Sequence, residues 1–172
     1  RTAGDVSWAR YADGRETAAR LRDGGIQVGA TGSTPPIVAQ AAGDEIVYLG
    51  RSEPHPERGG VVVPASSAVG SIHDLAGGSI AFAVGSWQTH AYVELLDRFG
   101  LAKDQLRVID IPAIASAADV LDSGADAWLI HDPLLAAVEA KVGPTRTLAT
   151  VADLVPNRSV FWGRRDYAAE HP

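Results

Sequence analysis

The chain has 172 residues, 46% hydrophobic and 21% charged, with a net charge of −6. That composition is globular, enough for one or two small domains, and lacks the basic footprint of a nucleic-acid binder. The absence of cysteine excludes a disulfide, a thiolate metal site and a cysteine nucleophile. With no methionine, no signal-like opening at Arg1 and no apolar run of membrane length, the sequence is expected to follow a removed export signal or to be a fragment.

Residues 6–11 alternate apolar and polar and predict a strand. Residues 14–22 predict a helix burying Ala18, Ala19 and Leu21, closed by Gly24 and Gly25. Residues 26–30 predict a short strand buried on both faces, 31–36 a turn, and a helix follows through Ala42. Residues 45–50 predict another strand. The stretch 51–60 holds two prolines, two glycines and four charges and reads as a surface loop. Strands are predicted at 61–64 and 79–84, with a short helix capped by Ser71 at 71–75 between them. A helix at 86–99, stopped by Gly100, precedes a strand at 106–111 and a helix at 116–123. A strand at 126–130 and a helix at 133–141 follow. Strands at 147–150 and 159–162 and a helix beginning at 165–170 complete the chain. Strands alternate with helices and the short strands are continuously apolar, which argues for an α/β fold with mostly parallel sheets.

One segment occurs twice. Leu21 and Gly24 are answered by Leu121 and Gly124, an offset of 100. Each copy follows an alanine-rich amphipathic run and leads into a proline-started helix. Two copies this far apart predict paired lobes with a ligand cleft between them rather than a solenoid. The lobes are expected at residues 1–67 and 68–150, with 151–172 returning to the first.

In open α/β sheets a ligand sits beyond the carboxyl ends of strands, against helix N-termini. Three junctions fit. At Thr31-Gly32-Ser33-Thr34 before Pro35-Pro36, Gly32 permits close approach, and Ser33 or Thr34 caps the helix or donates to an anion. At Gly85-Ser86-Trp87-Gln88-Thr89-His90, free N–H groups and the helix dipole form a natural anion site. It is not a Walker loop, because the Gly-Lys-Ser/Thr ending is absent. At Trp128-Leu129-Ile130-His131-Asp132-Pro133, Asp132 is an N-cap candidate that the repeat sets opposite the first junction. Capping and core packing alone account for each junction taken singly. The histidines at 55, 73, 90, 131 and 171 show no metal-ligand spacing. No serine-nucleophile elbow is present. Neither a metal nor another cofactor is expected.

At these junctions the sequence resembles a known family. Gly29-Ala-Thr-Gly-Ser-Thr-Pro-Pro-Ile-Val-Ala-Gln-Ala-Ala-Gly43, the strand at 46–50, Gly85-Ser86 with His90, and Asp126-Ala-Trp-Leu-Ile-His-Asp-Pro133 are similar to the aliphatic-sulfonate-binding proteins of ABC transporters, grouped with nitrate and taurine binding proteins. The resemblance runs from about Val6 to Pro172. It implies a periplasmic-binding-protein fold of two α/β lobes, truncated at both ends relative to the longer members. It further implies ligand contacts from Thr31, Gly32 and Ser33 on one lobe and from Ser86, Gln88, Thr89 and His90 on the other, with Trp128 and Asp132 completing the wall and Trp162 near the return crossing. Where the family often carries an acidic residue stands Ser33, and where it often carries an aromatic stands His131.

The function implied is a periplasmic or extracytoplasmic, lipid-anchored solute-binding component that works with ABC membrane subunits and not with nucleic acid. Its ligand would be an alkanesulfonate, taurine or a nitrate-like anion, with Trp87 or Trp128 packing the apolar tail. The alternative is an enzyme on the same fold, resembling a sulfinate desulfinase or the thiamine-precursor synthesis proteins. The lack of cysteine closes one such route, and His90 is the residue through which another would run. A ligand-sensing regulatory domain is a third reading, but no helix-turn-helix precedes the first lobe. Binding without turnover is expected.

Overall fold

In each copy of the repeat a short helix closed by a left-handed glycine leads into a strand. The computed structural model describes residues 6–10, 14–55 and 58–172. A single turn at Gly14–Glu16 leads into α1 (Thr17–Arg22), then β1 (Val28–Thr31), α2 (Thr34–Ala41) and β2 (Ile46–Arg51). Next come β3 (Gly59–Pro64), β4 (Ser79–Phe82), α3 (Trp87–Phe99) and β5 (Arg107–Asp110). The second copy is α4 (Ala117–Asp122), β6 (Ala127–His131) and α5 (Leu134–Val142). The chain ends through β7 (Thr145–Thr150), α6 (Val151–Leu154), β8 (Val160–Arg164) and α7 (Arg165–Glu170). Gly24 and Gly124 both adopt positive φ, 76° and 64°, and donate to the carbonyls of Leu21 and Leu121. A side chain there would strain the turn that sends each chain into its strand.

The strands form two sheets, ordered β1-β8-β2 and β5-β4-β6-β3-β7. β1 and β6, the equivalent strands of the repeat, lie in different sheets, as the paired-lobe reading requires. The strand sense departs from expectation. Only β4 pairs in parallel, with β5 and β6; the other four pairings are antiparallel. Continuous apolar runs report burial on both faces, not direction, and β3, β7 and β8 lie against the sense of the strands they join. Residues 59–64, expected in the first lobe, form β3 of the five-stranded sheet. Residues 6–10 carry no regular structure and Trp8 is 92% exposed, so the predicted first strand does not form there; Tyr11 lies outside the described residues. At 71–75 a single 3₁₀ turn at His73–Leu75 replaces the Ser71-capped helix. The Asp74 carboxylate accepts from the backbone N–H of Gly70 and Ser71 and from the Ser71 hydroxyl, so that serine donates rather than caps.

The five-stranded sheet is buried on both faces, and the period-2 alternation of its strands builds two cores. Val61, Val63, Ile80, Phe82 and Leu129 pack on one side with Ile72, Tyr92, Leu95 and Leu106. Val62, Ala81, Trp128 and Ile130 pack on the other with Val120, Leu135 and Val138. The smaller sheet covers one core only, in which Leu21, Ile26, Ala39 and Ile46 surround a fully buried Trp162. Its other face leaves Val28 and Phe161 exposed. β1 therefore alternates exposed and buried rather than being buried on both faces.

A candidate ligand cavity at the carboxyl ends of the strands

Four strand-to-helix junctions converge on an open cavity of about 670 Å³. The β1–α2 junction supplies Thr31, Gly32 and Pro35, and the β4–α3 junction supplies Ser86, Trp87 and Gln88. The segment after β5 supplies residues 113–117, and the β6–α5 junction supplies His131, Pro133, Leu134 and Ala137. Both sheets thus present strand ends to a shared space, which is where an α/β fold places a ligand.

The hydrogen bonds separate donors from scaffolding. Ser86 is the N-cap of α3: its Oγ accepts from the Gln88 N–H at 3.2 Å. Its single hydroxyl proton lies between the Ala83 carbonyl at 2.7 Å and Gln88 Oε1 at 2.9 Å. That proton is already committed within the protein. Gln88 is buried; its Oε1 accepts from the Ala83 N–H and its Nε2 donates to the Leu129 carbonyl. It ties the end of β4 to β6. The Thr89 hydroxyl accepts from the Gly85 N–H at 2.8 Å. Trp87 begins α3, so its N–H has no acceptor inside the helix and lies at the positive end of the dipole.

Thr31 donates to the Gly32 carbonyl and accepts from Trp162 Nε1 at 3.0 Å, which fixes the end of β1 on the small core. Gly32 is required by close approach: a Cβ there would lie 2.8 Å from Trp87 Cβ. The two halves also meet where Arg15 donates to the Val84 carbonyl at 2.8 Å, with the Asp110 carboxylate 4.0 Å away. Ser33 Oγ lies 3.3 Å from His90 Nδ1, and His90 Nε2 lies 3.4 Å from Glu94. Ser33 holds the N-cap position of α2 without making a capping bond, and the Thr34 hydroxyl is buried without a partner.

Of the residues named from sequence, Thr31, Gly32, Ser86, Trp87 and Gln88 line the cavity. Ser33, Thr89, His90, Trp128 and Asp132 do not. Trp128 is a core residue at 5% exposure, its Nε1 buried without a partner. Asp132 lies one residue before the N-cap Pro133; its carboxylate accepts from the Ala136 N–H and from Arg58 at 3.3 Å. Arg58 also pairs with Glu139. That hydrogen bond, reinforced by one from the Thr145 hydroxyl, holds the Glu139 carboxyl below the usual carboxylate range. Sequence reasoning missed Pro35, the wall at 113–117, and His131 with Leu134 and Ala137. The signal for the wall was Ile114, an apolar side chain in a loop, here 72% exposed. Among the described residues no cluster of three or more His, Asp or Glu is placed to hold a metal, and no helix is long and apolar enough to cross a membrane.

The likeness to known proteins extends over nearly the whole chain. An aliphatic sulfonates-binding protein of Escherichia coli (strain K12) is 31% identical over 166 residues, covering 96% of this chain and 52% of its own length. The crystal structure of the periplasmic aliphatic sulphonate binding protein from Escherichia coli superposes with a TM-score of 0.81 at 30% identity, over 95% of this chain and 56% of that one. The alkanesulfonate-binding protein from Xanthomonas axonopodis pv. citri, bound to MOPS, gives 0.80 at 30% identity over the same shares. The chain spans about half the length of the curated relatives it matches. These matches give it the two-lobed fold of periplasmic binding proteins. The family described as NMT1/THI5 like matches residues 5–172, and the chain belongs to that family.

Proposed function

We propose that this chain forms the ligand cleft of a solute-binding component of an ABC importer, taking an aliphatic sulfonate or a related small oxyanion between two lobes. The observation that carries the reading is the cavity, walled by strand-to-helix junctions from both sheets. Among its described lining residues there is no Lys, Arg, Asp or Glu. A monoanionic head would be held at the start of α3, where the Trp87 N–H and the helix dipole favour negative charge. The apolar wall of Ile114, Leu134 and Ala137, with the Trp87 ring, suits an aliphatic or cyclic tail. The partners would be ABC membrane subunits, and the site extracytoplasmic, with a lipid anchor in the complete protein. The first lobe would carry the three-stranded sheet and the second the five-stranded one.

Binding is favoured over turnover. Ser86 has no base beside it, its proton going to a carbonyl or an amide oxygen. Ser33 lies within hydrogen-bond distance of His90, which has Glu94 beside it, but none of the three lines the cavity. The test is calorimetry of the full chain against alkanesulfonates, taurine, nitrate and sulfate, with a sulfite assay on the same samples. Saturable binding of a sulfonate without sulfite is expected. A ligand at about a hundred times its Kd would add about 2.7 kcal/mol of apparent stability. Sulfite released from an arylsulfinate would replace this reading with the enzyme one.

A further inference from the structure

The chain passes between the two sheets twice, after β2 and before β8, and the crossings pair with each other. The Ser52 N–H donates to the Ser159 carbonyl at 2.9 Å, and the His55 N–H to the Asn157 carbonyl at 2.9 Å. Two adjacent segments joining two bodies restrain them as a hinge does. Contacts between the halves at the cavity then decide how firmly its walls stay together.

Arg15 makes such a contact. It belongs to the half that carries the smaller sheet, where the neighbouring Gly14 lies against Thr31 and Pro35. Its guanidinium donates to the Val84 carbonyl at 2.8 Å, two residues beyond β4 of the larger sheet. Val84 is a fixed point, because the Asp110 carboxylate at the end of β5 accepts from its N–H at 2.9 Å. The same carboxylate lies 4.0 Å from the guanidinium. Gly85 leaves room for the arginine stem: a Cβ there would lie 2.8 Å from Arg15 Cδ. Gly14 and Ser86, the residues flanking this contact, both line the cavity.

We propose that Arg15 is a positioning residue for ligand retention: it latches the first half onto the end of β4 and keeps the two walls of the cavity together. The inference rests on the cavity's being the ligand site. Arg15 is not among the residues lining it, so the effect runs through the walls rather than through the ligand. Separating the halves would break the hydrogen bond and the ion pair at once. The ion pair contributes little, since the Arg15 and Asp110 side chains are 40% and 56% exposed. The hydrogen bond from a charged donor to a carbonyl is the stronger element. If the cavity binds only with its walls together, apparent affinity scales with the fraction of molecules in that state. A latch raises that fraction and slows release.

The test pairs affinity with distance. The chain has no cysteine of its own, so spin labels can be carried on cysteines introduced at the exposed Gln40 of α2 and the exposed Lys103 after α3, one in each half. Arg15→Met keeps the stem beside Gly85 and removes the donor, whereas Arg15→Lys keeps a charged donor. Without ligand, Arg15→Met should add a longer inter-label distance that the wild type lacks, and saturating pentanesulfonate should remove it. Its affinity for pentanesulfonate should fall about five-fold, through faster release, as the competent fraction falls. Arg15→Lys should recover most of that loss. Unchanged distances in Arg15→Met would overturn the latch even if binding weakened, because the loss would then belong to a direct contact with the ligand. Unchanged affinity would overturn the role in retention. No binding by the wild type would overturn the binding function, while the distances without ligand would still decide the latch.

Discussion

Residues 17–41 and 117–142 share a helix–strand–helix order at an offset of 100, yet their strands meet opposite fates. β6 is central in the larger sheet, and Ala127, Trp128, Leu129 and Ile130 are all buried. β1 is an edge strand of the smaller sheet and buries only alternate residues. The local signals are nearly the same: a leucine ending the helix, a left-handed glycine, then a short run into a polar turn. Such signals set where elements start and stop, whereas burial is set by the neighbours that tertiary packing supplies. The two copies still reach the same cavity. Thr31 and His131, one repeat apart, both line the cavity.

The comparison is broken most directly by truncating one side chain in each strand. Leu129 is fully buried in the core on one face of the larger sheet, whereas Val28 is 45% exposed. Leu129→Ala should cost about 2–5 kcal/mol, combining lost burial with the cavity left behind. Val28→Ala should cost about 0.5 kcal/mol, the range of surface substitutions. Urea unfolding of both variants measures the difference. Equal costs would mean that β1 is as deeply packed in solution as β6, and that the contrast drawn from burial is wrong.

The same contrast explains what sequence reading reached. Element positions were legible because glycine turns and helix caps act over a few residues: Ser86 caps α3, as its junction allowed, and α4 starts beside Ser116, where a helix was expected. Strand sense was not legible, because β3 is antiparallel to β6 through neighbours far away in the chain. Trp8 alternates with polar residues like a strand but finds no partner strand. At the cavity, junction chemistry found Thr31, Gly32, Ser86, Trp87 and Gln88. It overshot to Trp128, three residues before His131, where the alternation of β6 turns the indole into the core. It passed over the wall at 113–117, because alanines and an isoleucine in a loop bear no chemical motif until the fold brings them to a cavity.

A second test sharpens the comparison at one position. Gly29 in β1 stands where the second copy has Leu129. A Cβ at Gly29 would lie 2.3 Å from Thr17 Cγ2, so α1 packs directly on the bare backbone. Gly29→Ala should therefore destabilise by about 1–3 kcal/mol through overpacking. Thr17 is fully buried and its hydroxyl has no partner. Thr17→Ala removes the clashing methyl together with that unsatisfied group, so the double variant should be about as stable as Thr17→Ala alone. Additive costs in the double-mutant cycle would show that the clash is not the reason for the glycine.

The smallest expected effect lies at the helix starts. Ser116 and Asp119 form a reciprocal capping box on α4: each side chain accepts from the other's backbone N–H. One repeat earlier, Glu16 holds the N-cap of α1 without a side-chain cap bond and pairs instead with Arg20. Ser116→Ala should cost about 1 kcal/mol, and Glu16→Ala should not reproduce that loss. Acid should separate the two helices further. The Asp119 carboxyl is held below the usual carboxylate range, first by the hydrogen bond from the Ser116 backbone N–H and then by the one from its hydroxyl. A folded value below the unfolded one means that the stabilisation is complete above about pH 4 and is lost as pH falls through the depressed folded value. Amide exchange in α4 should accordingly quicken in acid relative to α1, after correction for intrinsic rates, and Ser116→Ala should remove most of that extra sensitivity. Installing the box in the first copy with Glu16→Ser and Ala19→Asp should confer the α4 response on α1. If α1 then behaves as before, the box does not account for the difference between the two helices.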